Sequence, residues 1–232
     1  MRQKITLKPP KSMRNAVKDD TFRVLLNESD DVIEVFLYGV VGDEYSESDA
    51  GSINRVLSRN RQKPVNVRIN SFGGLAYDGI AIYNALADHP GKVTATIESV
   101  AASAASLAAI GADEVRMYEN ATYHIHEGLA FAYGHAAEIR ETLDWLETFN
   151  AAAADTYAAK TGRPADYIRA ALEGENGDGT KYTAKQALAA GFIDTIIPLK
   201  ASKAAAAESA DTSRMQSMLT ARILRHRATA VD

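Results

Sequence analysis

Not one of the 232 residues is a cysteine. That removes disulfides, thiolate zinc sites and a cysteine nucleophile together, and it fits a cytoplasmic protein. Long apolar runs are missing too: none approaches the roughly 20 residues of a membrane-spanning helix, so no membrane partner is expected. Met1 to Asn15 lacks the apolar stretch of a secretory signal. Charge of one sign is scarce. The formal net charge is -4, spread along the chain, which argues against nucleic acid as the main partner. Internal repeats are absent. What remains is a chain with 46% hydrophobic residues, enough for one α/β domain with a real core.

Residues 1–20 are polar and basic, with Pro9-Pro10, and read as a flexible arm. The domain is expected over 21–200. Asp31 to Gly39 is a β-branched and aromatic run closed by glycine, a buried strand. Ser48 to Asn60 carries Ile53, Val56 and Leu57 at helical spacing, and Val65, Val67 and Ile69 alternate as a strand. Asn70-Ser-Phe-Gly-Gly74 reads as a turn, followed by a helix over Asp78 to Asp88. Val93, Ala95 and Ile97 predict another strand, Ser103 to Ile110 a short alanine-rich helix, and Thr122 to His126 a short strand. Strand and helix alternating in steps of roughly 25 to 30 residues imply βαβ units and a parallel sheet, with sites at the C-terminal strand ends. Two such ends stand out, Asn70–Gly74 and Ser99–Ser103. Gly134 to Lys160 predicts a long helix whose stripe (Ile139, Leu143, Leu146, Ala153, Tyr157) suggests core packing, with length to spare for a protruding element. Ala184 to Ala190 is a helix closed by Gly191, and Phe192 to Ile197 a last strand. Residues 201–232, alanine-rich and then basic, read as a mobile tail.

Ser103 sits among small residues between a strand and a helix. A serine there places its oxygen at a helix N-terminus, where free N–H groups favour developing negative charge. Helix capping is the everyday alternative, and Ser99 and Ser106 have the same local claim. The Gly-x-Ser-x-Gly elbow of α/β-hydrolases is absent. Of the five histidines, His124 and His126 lie on the next strand and share one side of it, so either could serve Ser103 as base. Asp178, in the glycine-rich segment Glu173 to Thr180, is a candidate carboxylate, unless it is a solvated turn acid. The spacing there does not match a helix–loop–helix calcium site. Gly73-Gly74 allows close backbone approach and a donated N–H, or is only a tight turn.

Taken together, these segments resemble the Clp protease proteolytic subunit family. Asn70 to Tyr83 resembles its Asn-Ser-Pro-Gly-Gly segment and following helix, and Ala101-Ala-Ser-Ala-Ala-Ser106 its nucleophile segment. Asn120 to His126 resembles its Ile-His strand, and Thr183 to Asp194 its closing motif. The similarity runs over residues 33–198. It implies an α/β spiral of βαβ units shared with the crotonase-like fold, and a protruding handle helix over Gly134–Lys160. It implies Ser103 as nucleophile, His126 as base, Asp178 as acid, and the N–H groups of Gly73 and Ala104 as oxyanion hole. No cofactor or metal is implied. The partners implied are polypeptide substrates, held by strand addition, and other copies of the chain in stacked rings. Phe72 stands where the family usually has proline, and His124 and Gly128 also depart from the housekeeping form. Phe22-Arg-Val-Leu, the Ala-Ala-Ser-Ala-Ala-Ser run and the alanine-rich tail are closer to the phage head-maturation branch. That branch trims scaffold and capsid proteins in the prohead. The alternatives are a housekeeping subunit working with an AAA+ unfoldase, an acyl-CoA enzyme of the same fold superfamily, an inactive ring protein, or a Ser–Lys dyad.

Overall fold

A computed structural model describes residues 32–43, 48–199 and Met215. The arm at 1–20 and, Met215 aside, the tail at 201–232 lie outside the described residues. Three strands that alternate over their first halves build the centre: β1 (Ile33–Val41), β2 (Val65–Gly74) and β3 (Val93–Ala102). Ile33, Val35, Leu37, Val65, Val67, Ile69, Val93, Ala95 and Ile97 all turn to one side and are buried. On that side pack α1 (Ala50–Arg59), α2 (Ala76–Ala87) and α3 (Ala104–Ala109), bringing Ile53, Leu57, Ile82, Leu86 and Leu107 into the same cluster. Asp49 starts α1 by accepting the Ser52 N–H at 3.0 Å. The other face carries a polar ladder. Arg68 pairs with Glu98, Tyr38 bonds Glu98, and Asn66 bonds Glu34 at 2.8 Å.

β4 (Glu114–Tyr118) and β7 (Thr195–Ile197) extend the parallel order β1-β2-β3-β4-β7. β3 then changes neighbours. Thr94 to Ile97 pair with β4, while Val100 to Ala102 pair with β5 (Thr122–Ile125). β6 (Thr180–Thr183) lies antiparallel to β5. This split puts the end of β3, the start of α3 and the histidine strand at one place. The fold is mixed α/β with a mostly parallel sheet, as the sequence rhythm implies.

Several expectations need correction. Asn70–Gly74 is strand, not turn: it stays paired with β1 as far as Val41↔Gly74, with a register shift after Gly39. Main-chain pairing outweighs the turn composition there. β4 and a helix α5 (Ala165–Glu173) were not foreseen. Phe192 and Ile193 are buried but precede the last strand, which spans only Thr195–Ile197. The long helix α4 (Ala136–Thr161) is half core and half surface. Phe149, Ala153, Ala154 and Tyr157 are buried, whereas Ile139, Leu143 and Trp145 are exposed. Glu138, Arg140, Glu141, Asp144 and Glu147 flank that exposed apolar stripe on the first half. α6 (Ala184–Ala190) ends on left-handed Gly191, as expected.

Candidate active site

Ser103 is the N-cap of α3, with φ 54° and ψ -130°. It is the one non-glycine residue with positive φ among the described residues. A non-glycine residue holds such a backbone at a cost on the order of 1–3 kcal/mol, and only when its surroundings over-determine it. Here they do. The Ser103 N–H donates to His124 O at 3.0 Å. The Ser103 carbonyl accepts from Ser106 N at 2.9 Å, Leu107 N at 3.2 Å and Ser106 Oγ at 2.6 Å. Ser103 Oγ is left without a hydrogen bond among the described residues, on a half-buried side chain.

The rival serines separate on environment. Ser106 is fully buried and tied at both ends, its Oγ also meeting Tyr157 Oη at 2.7 Å. Ser99 is exposed in mid-strand.

Gly73 packs directly against the elbow. A Cβ there would lie 2.6 Å from Ser103 Cβ, 2.7 Å from Ala102 O and 3.0 Å from Ala104 N, and its φ is +95°. Glycine is therefore required twice over, for space and for conformation. Its N–H points to Ser71 Oγ at 3.0 Å, and Ser71 Oγ donates to Gly39 O at 2.6 Å. The Ala104 N–H, in contrast, has no partner among the described residues. Of the two expected oxyanion donors, one is free and one is already engaged.

The histidines arrive on β5. His124 pairs with Ala102, and the His124 and His126 rings are neighbours, 5.2 Å between centroids. His126 Nδ1 lies 2.6 Å from Glu127 O. A carbonyl can only accept, so Nδ1 carries the proton and Nε2 is the basic nitrogen. No hydrogen bond joins His126 to Ser103 among the described residues; such bonds are often long in unliganded sites.

Asp178 does not reach His126. Its carboxylate pairs with Lys181 Nζ at 2.9 Å, which holds it below the usual carboxylate range, and its carbonyl meets His124 Nε2 at 2.8 Å. The residue packed on His126 is the next one, Gly179, where a Cβ would overlap His126 Cβ and Ile125 O. The loop thus brings its backbone, not its carboxylate, to the base. Of the expected triad, Ser103 and His126 come from neighbouring segments, tied where Ser103 N–H bonds His124 O, while the Asp178 carboxylate lies on Lys181. Lys181, which the sequence offered with Lys185 only as the lysine of a Ser–Lys dyad, instead pairs with Asp178, and no sequence signal pointed to the Glu127 carbonyl.

A strained serine at a strand–helix junction, with an unpaired amide beside it and a histidine strand alongside, is the arrangement of the serine hydrolases. Within that class the assignment is specific: residues 13–200 match the Clp protease family model, and the chain belongs to the Clp protease family. It is therefore a serine peptidase by family, of a kind whose members form oligomeric rings and act on polypeptides. Among the described residues no helix is long and apolar enough to cross a membrane.

Proposed function

We propose that the chain is a serine endopeptidase, with Ser103 as nucleophile and His126 as base, working inside an oligomeric ring. The observation that carries this reading is the strained Ser103 backbone beside the unpaired Ala104 N–H. Ser103 Oγ attacks the peptide carbonyl carbon while His126 Nε2 takes its proton. The oxyanion that forms is met by the Ala104 N–H, and by the Gly73 N–H as it exchanges its Ser71 bond. His126 then gives its proton to the leaving amine, and water repeats the sequence on the acyl-enzyme. Asp178 serves as the acid of the set once its carboxylate leaves Lys181 for the imidazole.

The sequence features shared with the head-maturation branch support scaffold or capsid proteins in a phage prohead as the substrates. The Phe22 to Leu25 segment and the alanine-rich tail carry that part. A fluorophosphonate probe tests the chemistry. Labelling of wild type, lost in Ser103→Ala and His126→Ala, is expected; an unlabelled wild type that binds acyl-CoA sinks the peptidase. Co-expression with a candidate scaffold protein tests the role: cleavage without ATP is expected, and cleavage only with an AAA+ unfoldase and ATP points to the housekeeping form.

A further inference from the structure

Beneath Ser103 lies a chain of buried hydroxyls that the reaction scheme above does not use. Ser106 Oγ is 2.6 Å from Ser103 O and 2.7 Å from Tyr157 Oη. A serine hydroxyl has a single hydrogen. Because Ser103 O can only accept, Ser106 spends its hydrogen there, and Tyr157 must donate to Ser106 Oγ. The direction of the chain is fixed: Tyr157 to Ser106 to Ser103. Tyr157 comes from the buried half of α4, 51 residues away in sequence. Burial raises the Tyr157 hydroxyl above its ordinary pKa, which keeps it a donor.

The carbonyl that receives this bond is one end of the Ser103–Ala104 peptide. That unit is planar and trans, so its C=O and N–H point in opposite directions and turn together. Fixing the Ser103 oxygen on the buried side therefore aims the Ala104 N–H on the open side. A helix serine bonding back to a carbonyl three residues earlier is common in itself. Here, however, the carbonyl belongs to the strained residue outside the helix, and the hydroxyl is itself held by a second element.

We propose that Ser106 and Tyr157 are positioning residues for the oxyanion hole, holding the Ser103–Ala104 peptide so that its N–H faces the developing oxyanion. The proposal rests on Ser103 being the nucleophile. A group that aims a donor acts on the transition state and leaves ground-state binding alone. Tyr157→Phe and Ser106→Ala in the full chain should each lower kcat about 10-fold on a fluorogenic peptide amide, with KM unchanged. Inhibition by a peptide aldehyde, which forms the tetrahedral adduct, should weaken by a similar factor.

Tyr123→Phe is the control. It also removes a buried hydroxyl, one that donates to Ser106 O at 2.7 Å, but leaves the bonds to Ser103 O in place. Its kcat should match wild type. A wild-type kcat in Tyr157→Phe, a change confined to KM, or an equal loss of kcat in Tyr123→Phe overturns the proposal. If Ser106→Ala does not fold, Tyr157→Phe decides alone, since it removes one oxygen. Ser103→Ala run in parallel separates the two levels. Activity retained there sinks the nucleophile; activity lost there, with a normal Tyr157→Phe, sinks only the positioning role.

Discussion

Ser103 holds a backbone conformation suited to glycine, yet needs a side chain for chemistry, so stability and activity pull against each other at this residue. Removing the side chain two ways separates them. Ser103→Ala keeps the strained φ, whereas Ser103→Gly releases it. Both should be inactive, and the glycine variant should be the more stable by about 1 kcal/mol in chemical denaturation; equal midpoints would mean that the elbow stores no strain. His124 offers a second test. Burial lowers its pKa below the ordinary imidazole value, aided by His126 and Lys181 and opposed by the Asp178 carbonyl. At low pH the unfolded chain accepts a proton that the folded chain resists. Stability from this group is therefore complete above about pH 6.5 and is lost as pH falls through it. Thermal melts from about pH 7 to about pH 5 should show a flatter dependence in His124→Gln than in wild type. An unchanged slope assigns the acid sensitivity to other groups.

At the level of elements, the end of β2, the β3–α3 junction and β5 make the site together, and the contact between the first two depends on Gly73. Gly73→Ala would drive a methyl into Ser103 Cβ and Ala102 O. A displacement of about 1 Å at a reacting atom costs on the order of 100-fold, and fluorophosphonate labelling should slow by that factor. Normal labelling would remove Gly73 from the site. The Asn70–Gly74 and Ser99–Ser103 segments were legible in the sequence through their glycines and serines, and β5 through its histidines. The alternation of Val65, Val67 and Ile69 located β2, but could not show that pairing with β1 carries the strand through Gly74. β4 was missed because Glu114 and Arg116 leave only Val115 and Met117 as an apolar face in its five residues. The Tyr157 contact was illegible for a different reason. On a helical stripe a tyrosine looks like packing, and only the folded chain shows its hydroxyl on Ser106. For Asp178 the sequence located the loop but not its side-chain contacts: the carboxylate lies on Lys181, and the residue packed on His126 is Gly179. Asp194, part of the closing motif, turns out to be structural, accepting from Val115 N at 2.7 Å and Lys160 Nζ at 2.8 Å. Asp194→Ala should lower unfolding free energy by about 1–2 kcal/mol in urea titration and leave probe labelling intact.

Over the whole molecule, apolar surface is distributed unevenly. Leu129, Phe131 and Tyr133 follow the histidine strand and are exposed, and Ile139, Leu143 and Trp145 are exposed on the first half of α4. Monomeric proteins rarely leave so many large apolar side chains in water within one stretch of chain. The second half of α4 is anchored by Phe149, Ala153 and Tyr157, so the first half projects from a fixed base. This is the shape a handle between subunits requires, and it supports the ring. Leu143→Glu with Trp145→Glu places two carboxylates on that surface. Because both residues are exposed within the subunit, the fold itself should lose no more than about 0.5 kcal/mol. A stacked ring would desolvate those charges, and a buried unpaired carboxylate is strongly disfavoured. Sedimentation velocity should therefore show wild type as a large assembly and the double variant as a smaller species with an unchanged circular dichroism spectrum. A wild type that sediments as a monomer, or a double variant that keeps the full assembled mass, would place the ring contacts elsewhere than on α4.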